Sequence, residues 1–463
     1  MSDIHNAMGA RSKPNGAFRR RIPPGAVAYV LIWLFSLRVA VFAQEDIPLG
    51  PNGYARRIEM LYRTAKGLID VGDYEEALRN YEEALQLQEG RKDRRGASVT
   101  LIAIGDLYLF FMGDARSAIG FYERSVAIKK EIKDRKSEPE PLHQIAYAYY
   151  VLGDVDRAEQ IYREVLELSR KVKNRRAEAT ALNGLGNCFL ARGRTTEALD
   201  YYRQALPLRK KVKDHTGVAN TTFNLGRTYL RVGDLAQARQ YFEEALRKRR
   251  ELLDVRAEAE TLLLLGQTLA GMGESPKARE YYQEAIALAR RSRNQRIEIE
   301  ALYGLGVLAV KEDRGDEAVR PLTSALSLAE KMEPGLRDVM LRRLIRMLAS
   351  VYLARGDMME AAALYKRGLR LVRPAGELSS QVEFITALGE VYAQQGQHQY
   401  ALACYFQAEA LSQKNPALAE SLVGDRIRRL REQLGEVAFA RLAEDVRARM
   451  LTLVSEATGM SDW

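Results

Sequence analysis

The chain has 463 residues, 47% apolar and 29% charged, a balance that belongs to folded protein and excludes disorder over most of its length. Two cysteines, Cys188 and Cys404, and four scattered histidines, His5, His143, His215 and His398, exclude a disulfide-dense scaffold and supply no clustered spacing for a structural zinc. The formal charge of +10 suggests a nucleic-acid partner until it is divided: residues 1–43 hold six Arg/Lys and one acid, +5 in all, which leaves a modest +5 for the other 420 residues.

Residues 1–43 read as a targeting segment. A basic stretch ending Phe18-Arg19-Arg20-Arg21 precedes the apolar run Gly25 to Leu37, then Val41-Phe42-Ala43 and polar Gln44-Glu45-Asp46. Val41 and Ala43 suit the small-residue requirement of a secretory signal, so cleavage is expected after Ala43. The rival reading is an uncleaved anchor over residues 26–43, marginal in length and interrupted by Arg38. On both of these readings the body is expected outside the cytoplasm, in the periplasm or cell envelope or secreted, with residues 44–53 as a linker; the third reading is a cytoplasmic protein with an unrelated apolar start.

From Tyr54 onward the chain repeats. An alanine recurs at Ala77, Ala118, Ala158, Ala198, Ala238, Ala278, Ala318, Ala361 and Ala401, at intervals of 41, 40, 40, 40, 40, 40, 43 and 40. Five residues before it stands glycine, except at Asp313; four after it stands an aromatic, except at Leu322. Twelve before it stands a small residue in eight of nine units, Gly226 and Gly266 among them, while Gly105 of the second unit lies thirteen before. Apolar residues within a unit recur at three and four, as in Leu225, Gly226, Tyr229 and Ala238, Tyr241, Phe242, Ala245, which predicts two amphipathic helices per unit. Gly-Asp at 72–73, 113–114, 153–154, 233–234 and 356–357 fits the corner between them, glycine ending the first helix in the left-handed conformation and Asp capping the second. The unit with the additional residue before its alanine is expected to carry it inside the first helix.

This pattern resembles the tetratricopeptide repeat, whose small, aromatic, alanine, aromatic, alanine positions are matched by Gly226, Tyr229, Ala238, Phe242 and Ala245, over about 360 residues. The forty-residue length is similar to the long variant of kinesin light chains and Leu-Gly-Asn scaffolds. The resemblance implies an all-α fold, a right-handed α-solenoid of nine helix hairpins over residues 54–413, with a concave groove. Residues 311–337, with Asp313, Pro321, Leu322 and Pro334-Gly335, mark either a seam or an eroded repeat, and Pro207 is expected to kink its helix. Residues 414–463 are predicted to add two capping helices, one with Leu418, Leu422, Val423, Ile427, Leu430 and Leu434 on a face, the other with Val437, Phe439, Leu442, Val446 and Met450.

The resemblance also implies that the first helix of each unit lines the groove. Counting from the small residue gives His143, Tyr147, Asn183, Asn187, Asn220, Asn224, Arg227, Arg231, Gln267 and Tyr303 as candidate peptide-binding residues. Asparagine is a poor helix former, so four of them on two helices serve another end. One reading has their amides holding a peptide backbone, with Arg227 and Arg231 selecting acidic ligand side chains; the other has them bonding neighbouring helices. A second periodic feature is basic: Lys129-Lys130, Arg170-Lys171, Arg209-Lys210-Lys211, Arg247 to Arg250 and Arg290-Arg291 end successive second helices and are expected to form one edge. Such an edge suits an anionic membrane surface, although cations at helix C-termini also answer the helix dipole, and nucleic acid is disfavoured because no aromatic platform interleaves the charges.

Catalysis has little support. The glycine pairs at 184–186 and 304–306 fall inside first helices rather than after strands, and no Walker lysine, nucleophile elbow or HExxH is present. No catalytic residue, metal or cofactor is expected, and Cys188 and Cys404 read as small packed residues. The expected role is a non-catalytic scaffold binding a peptide segment of another protein.

Overall fold

A computed structural model describes residues 51–374, 376–414 and 422–461; the targeting segment, most of the linker and Leu418 lie outside them. The chain divides at Arg91–Lys92 into two compact units. In the first, α1 (Pro51–Val71) and α2 (Tyr74–Gly90) pair as a hairpin, with Ala65 and Ala77 fully buried and Tyr62 edge-on to Tyr81.

The second unit continues the same hairpin eight times: α3 (Arg94–Asp106) with α4 (Ala115–Glu131), α5 (Pro139–Val151) with α6 (Val155–Lys171), α7 (Arg175–Ala191) with α8 (Thr195–Lys211), α9 (His215–Val232) with α10 (Leu235–Glu251), α11 (Val255–Gly271) with α12 (Ser275–Arg291), α13 (Gln295–Lys311) with α14 (Gly315–Glu330), α15 (Leu336–Arg355) with α16 (Met358–Val372), and α17 (Leu378–Gln394) with α18 (His398–Gln413). Within this unit each hairpin packs on the next, and the fold is an all-α solenoid of repeated helix pairs. One apolar core runs from Phe223 to Ala457 and passes through residues 311–337 by way of Leu322, Ala325 and Leu326. Helices α8 and α14 run through Pro207 and Pro321 respectively without ending.

The periodic residues explain the packing. A methyl group on Gly226 would stand 2.8 Å from the Phe242 ring, on Gly266 2.9 Å from Tyr282 and on Gly389 2.6 Å from Tyr405. Each of these three glycines is therefore the socket for the aromatic of its own hairpin, since real carbons need about 3.5–4.0 Å. Tyr282 is held from both sides, because a methyl on Gly304 of the following hairpin would lie 2.6 Å from its ring. The ring joins three helices, α11, α12 and α13.

Both corners of the repeat are left-handed. Within a hairpin the turn glycine has φ +82° at Gly153 and +89° at Gly233, and the following Asp caps the next helix: Asp154 accepts from Arg157 N at 3.1 Å and Asp234 from Gln237 N at 3.0 Å. Asp357 departs from the expected capping, making no cap bond and instead pairing with Arg355 at 3.0 Å. Between hairpins the left-handed place falls to Lys133, Lys173, Lys213, Leu253 and Arg293, at φ between 52° and 57°, and Asn174, Asp214, Asp254 and Asn294 cap the next first helix. The additional residue of the second repeat is absorbed by a single π turn, Leu107–Phe111, where Met112 N donates to Leu107 O at 3.1 Å.

The C-terminal segment is three helices rather than the expected two: α19 (Leu422–Leu434), α20 (Glu436–Ala448) and α21 (Met450–Thr458). Met450 opens the third because the chain leaves helical geometry at Arg449, whose φ is −115°. Helix α21 covers α18, and the Tyr392 hydroxyl donates to Ala457 O at 2.7 Å.

Candidate functional site

Helices α5, α7, α9 and α11 present one side chain register to a common cavity of about 530 Å³. Seven of the ten candidates meet there: His143 and Tyr147 from α5, Asn183 and Asn187 from α7, Asn220, Asn224 and Arg227 from α9. Arg231 lines a separate hollow beside Leu190 and Tyr150, its Nη1 donating to Leu190 O at 2.8 Å. Through this donor it braces two hairpins, and it stands outside the cavity that the other groove residues share. Gln267 lies half-buried on α11 and Tyr303 sits under Arg343, whose Cζ is 4.2 Å from the ring centre; neither lines the cavity.

The asparagines divide their two ends. Asn183 Oδ1 accepts from Thr221 Oγ1 at 3.1 Å and from Asn224 Nδ2 at 3.3 Å, tying α7 to α9. Asn187 Oδ1 accepts the Tyr202 hydroxyl at 2.7 Å, and Asn220 Oδ1 receives Arg249 Nη2 at 3.5 Å. The carbonyl ends thus fix the repeat, and among the described residues no acceptor takes the Nδ2 groups of Asn183, Asn187 or Asn220.

Residues from the ends of second helices, placed on the outer edge by sequence reasoning, reach this cavity as well. Arg209 and Arg249 line it and are only 7% and 4% exposed. Arg209 Nη1 bonds Asp214 Oδ2 at 3.0 Å; Arg249 Nη1 bonds Ala257 O at 2.7 Å and Thr261 Oγ1 at 2.6 Å, with its guanidinium 4.0 Å over Phe223. Gly217 makes this possible, because any side chain there would occupy the place of Arg209 and Asp214. Lys129 holds the same repeat position and is 5% exposed. The expected basic edge is therefore broken at Lys129, Arg209 and Arg249, and three of its exposed members are paired with an acid eight residues later: Arg170 with Glu178 at 2.9 Å, Arg250 with Glu258 at 2.8 Å and Arg290 with Glu298 at 2.6 Å. A helix C-terminus offers a basic residue either direction, and one turn-position of difference decides between solvent and groove.

The other end of the cavity is aromatic. Phe110, brought in by the π turn, stacks on Tyr147 at 5.7 Å between centroids, and Tyr147 on Tyr150 at 6.3 Å. His143 lies 5.7 Å from Tyr162, and its pKa is pushed down to about 4 by burial and then by the Arg209 charge. Asp106, following the small residue Gly105 as Asn187 follows Gly186, accepts the Tyr122 hydroxyl and Gln144 Nε2, both at 2.7 Å. Burial raises its pKa to about 6 against those two bonds. Among the described residues no group of three His, Cys, Asp or Glu is placed to hold a metal, and no helix is long and apolar enough to cross a membrane. Burial raises both thiols to about 12, which leaves them protonated at neutral pH.

Comparison with known proteins bears on the repeat itself. A family model described as tetratricopeptide repeat matches residues 57–131, 138–211 and 208–251, and one described as a MalT-like tetratricopeptide region matches residues 253–449. The photosystem I assembly protein Ycf3 of Prochlorococcus marinus is 39% identical over 75 residues, which are 16% of this chain and 41% of that protein. The chain thus spans less than half the length of that curated relative. Among solved structures, a signal-transduction ATPase with a tetratricopeptide repeat sensor from Pyrococcus horikoshii superposes with a TM-score of 0.60 at 15% identity, covering 81% of this chain and 55% of that one. The apo quorum sensor NprR from B. thuringiensis gives 0.50 at 15% identity, covering 77% and 97%. Likenesses at this identity carry the fold.

Proposed function

The chain belongs to the tetratricopeptide-repeat family, and we propose that it is a non-catalytic interaction scaffold which holds a peptide segment of a partner protein in the cavity lined by α5, α7, α9 and α11. The observation that carries this reading is the division of labour at the asparagines. Their oxygens are spent on the repeat, while the Nδ2 donors of Asn183, Asn187 and Asn220 remain for a ligand's carbonyl groups. The aromatic wall of Phe110, Tyr147 and Tyr150 beside them offers an apolar side chain its place. A site that pairs backbone-binding donors with an apolar wall holds an extended segment by its main chain and selects it by one or two side chains. The periplasmic or cell-envelope setting belongs to the same proposal and rests on residues 1–43 alone.

Selection from a displayed random peptide library, with the enriched peptides titrated by fluorescence anisotropy, tests the reading. Tyr147→Ala is expected to weaken them about tenfold, the value of a buried aromatic contact at an interface. Arg247→Gln, at the end of α10, serves as the control and is expected to change nothing. Enriched peptides that bind Tyr147→Ala as tightly as wild type would remove the cavity from the proposal.

A further inference from the structure

Asp106 ends α3 at the start of the π turn, half-buried, and among the described residues its side chain is bonded only by neutral donors, Tyr122 from α4 and Gln144 from α5. A carboxylate taken out of water without a cation is costly, so its presence calls for a cause. The fold does not demand it: the residue after the small one is Tyr147, Asn187, Arg227 and Gln267 in the four following hairpins. Glu390, the other acid at this position, is paired with Arg426 at 3.1 Å.

An ionised carboxyl can only accept, so the Gln144 amide must turn its nitrogen to Asp106. That leaves Gln144 Oε1 for the cavity, which the same residue lines. Gln144 Oε1 and Asn224 Oδ1 are the amide oxygens of the cavity that no protein donor takes among the described residues, whereas Asn183, Asn187 and Asn220 are engaged at oxygen. Each residue of an extended chain offers a carbonyl and an N–H, and the two sets of amides answer one each.

A protonated Asp106 has a hydroxyl to donate. The Gln144 amide can then turn over, giving Oε1 to Asp106 and Nε2 to the cavity, so that a donor replaces the acceptor. The titratable groups against Asp106 are Tyr122 on α4 and Glu140 on α5; burial, with Glu140 adding to it, outweighs the two bonds and brings the carboxyl up to about 6. Glu140 is itself 3.8 Å from Lys129. His143, beside Gln144, lies against Tyr162 and titrates lower, at about 4.

We propose that Asp106 is a positioning residue: it fixes the Gln144 amide so that the cavity presents an acceptor oxygen to an N–H of the bound segment, and proton uptake reverses that presentation. The inference rests on the peptide reading and deepens it, naming the ligand group that this wall takes and the condition under which it lets go.

The test uses the full chain, the tightest peptide from the displayed library and copies of it N-methylated at one backbone position each, titrated by fluorescence anisotropy at several pH values. The peptide prefers ionised Asp106, so affinity should be flat above about pH 7 and fall about fivefold by about pH 5, on the way to a full difference of about tenfold. Asp106→Asn, which does not titrate, should give a flat profile. Gln144→Ala should bind more weakly than wild type at neutral pH and be equally flat, and one N-methylated copy should lose the pH dependence with the wild-type protein. In the free protein the Gln144 side-chain amide signals, followed by NMR with labelled glutamine, should move as Asp106 titrates and stay still in Asp106→Asn. A wild-type profile retained in Asp106→Asn or in Gln144→Ala of matched urea midpoint overturns the proposal, as does a Gln144 signal that ignores pH. The two readings fail separately: enriched peptides that bind without pH dependence sink the role of Asp106 and keep the groove, whereas a Gln144 signal that follows Asp106 with no peptide enriched keeps the coupling and sinks the groove.

Discussion

Replacing Gly304 by alanine sets two effects of known size against each other. In an exposed helix interior the change gains up to about 1 kcal/mol, because glycine gives up more chain entropy than alanine. At Gly304 the new methyl would stand 2.6 Å from Tyr282, itself only 3% exposed and already held by Gly266 on its other side. About 1 Å must be found in a region with no free volume, and overpacking of this kind costs about 1–3 kcal/mol. The expected net loss is about 1–2 kcal/mol. Gly120 on α4 supplies the control, since nothing lies within 4 Å of its added methyl; Gly120→Ala should gain up to about 1 kcal/mol. Urea unfolding followed by circular dichroism measures both, with hydrogen exchange over α11–α13 to localise the loss in an array whose repeats need not unfold together. Tyr282→Leu introduced into Gly304→Ala should recover part of the deficit. If Gly304→Ala is as stable as Gly120→Ala, the clamped ring is not what the small residue is for.

Acidification offers a second check. His143 titrates at about 4 in the fold against 6.5 ordinarily, so the unfolded chain takes the proton first and stability falls as pH drops from 6.5 to 4 by up to about 3 kcal/mol. Asp106, raised to about 6 from 3.8, has the opposite sign: the fold keeps the proton, and stability rises as pH drops through 6 towards 3.8 by a similar amount. Thermal scans across this window should show His143→Gln gaining on wild type and Asp106→Asn losing ground; parallel profiles for all three would remove both assignments. At the corner between hairpins, Leu253 holds φ 56° while 83% exposed, so Leu253→Gly should exceed Leu253→Ala in stability by about 1 kcal/mol, the reverse of the order in a helix; urea midpoints decide it. Asp254 caps Ala257 N at 3.0 Å and Asp357 caps nothing, so Asp254→Ala should lower stability by about 1 kcal/mol and Asp357→Ala by clearly less.

The hairpins were legible because their cause is local: a socket, a ring and a corner glycine recur at fixed spacing, and each acts on residues a turn or a helix away. The corners between hairpins were not, since Lys213 and Leu253 adopt the left-handed conformation without being glycine, and only the closing of the neighbouring helices holds them there. Groove positions counted from the small residue met in one cavity because the repeat keeps its register from α5 to α11. Arg231, counted among the groove positions, lies outside that cavity and donates to the Leu190 carbonyl at 2.8 Å. Arg209 and Arg249 were assigned to the outer edge by their place in basic runs, and their inward turn depends on residues of another helix, Gly217 on α9 for Arg209 and Phe223 on α9 for Arg249. Their repeat position carries no signal of its own, since Lys129, Arg209 and Arg249 share it with Gln88, Ser169 and Ala289, whereas the next position is basic at Lys130, Arg170, Lys210, Arg250 and Arg290.

One additional residue in a helix ordinarily rotates everything beyond it by about 100°, which in a stack of hairpins would turn every later face away from its neighbour. The π turn at Leu107–Phe111 confines that rotation to five residues: Ala118 and Tyr122 remain buried as their counterparts in later hairpins do, while Phe110 is delivered against Tyr147. A solenoid can in this way acquire a new wall residue by insertion in one unit, leaving the alignment of the remaining units untouched, so its groove can be rewritten one repeat at a time.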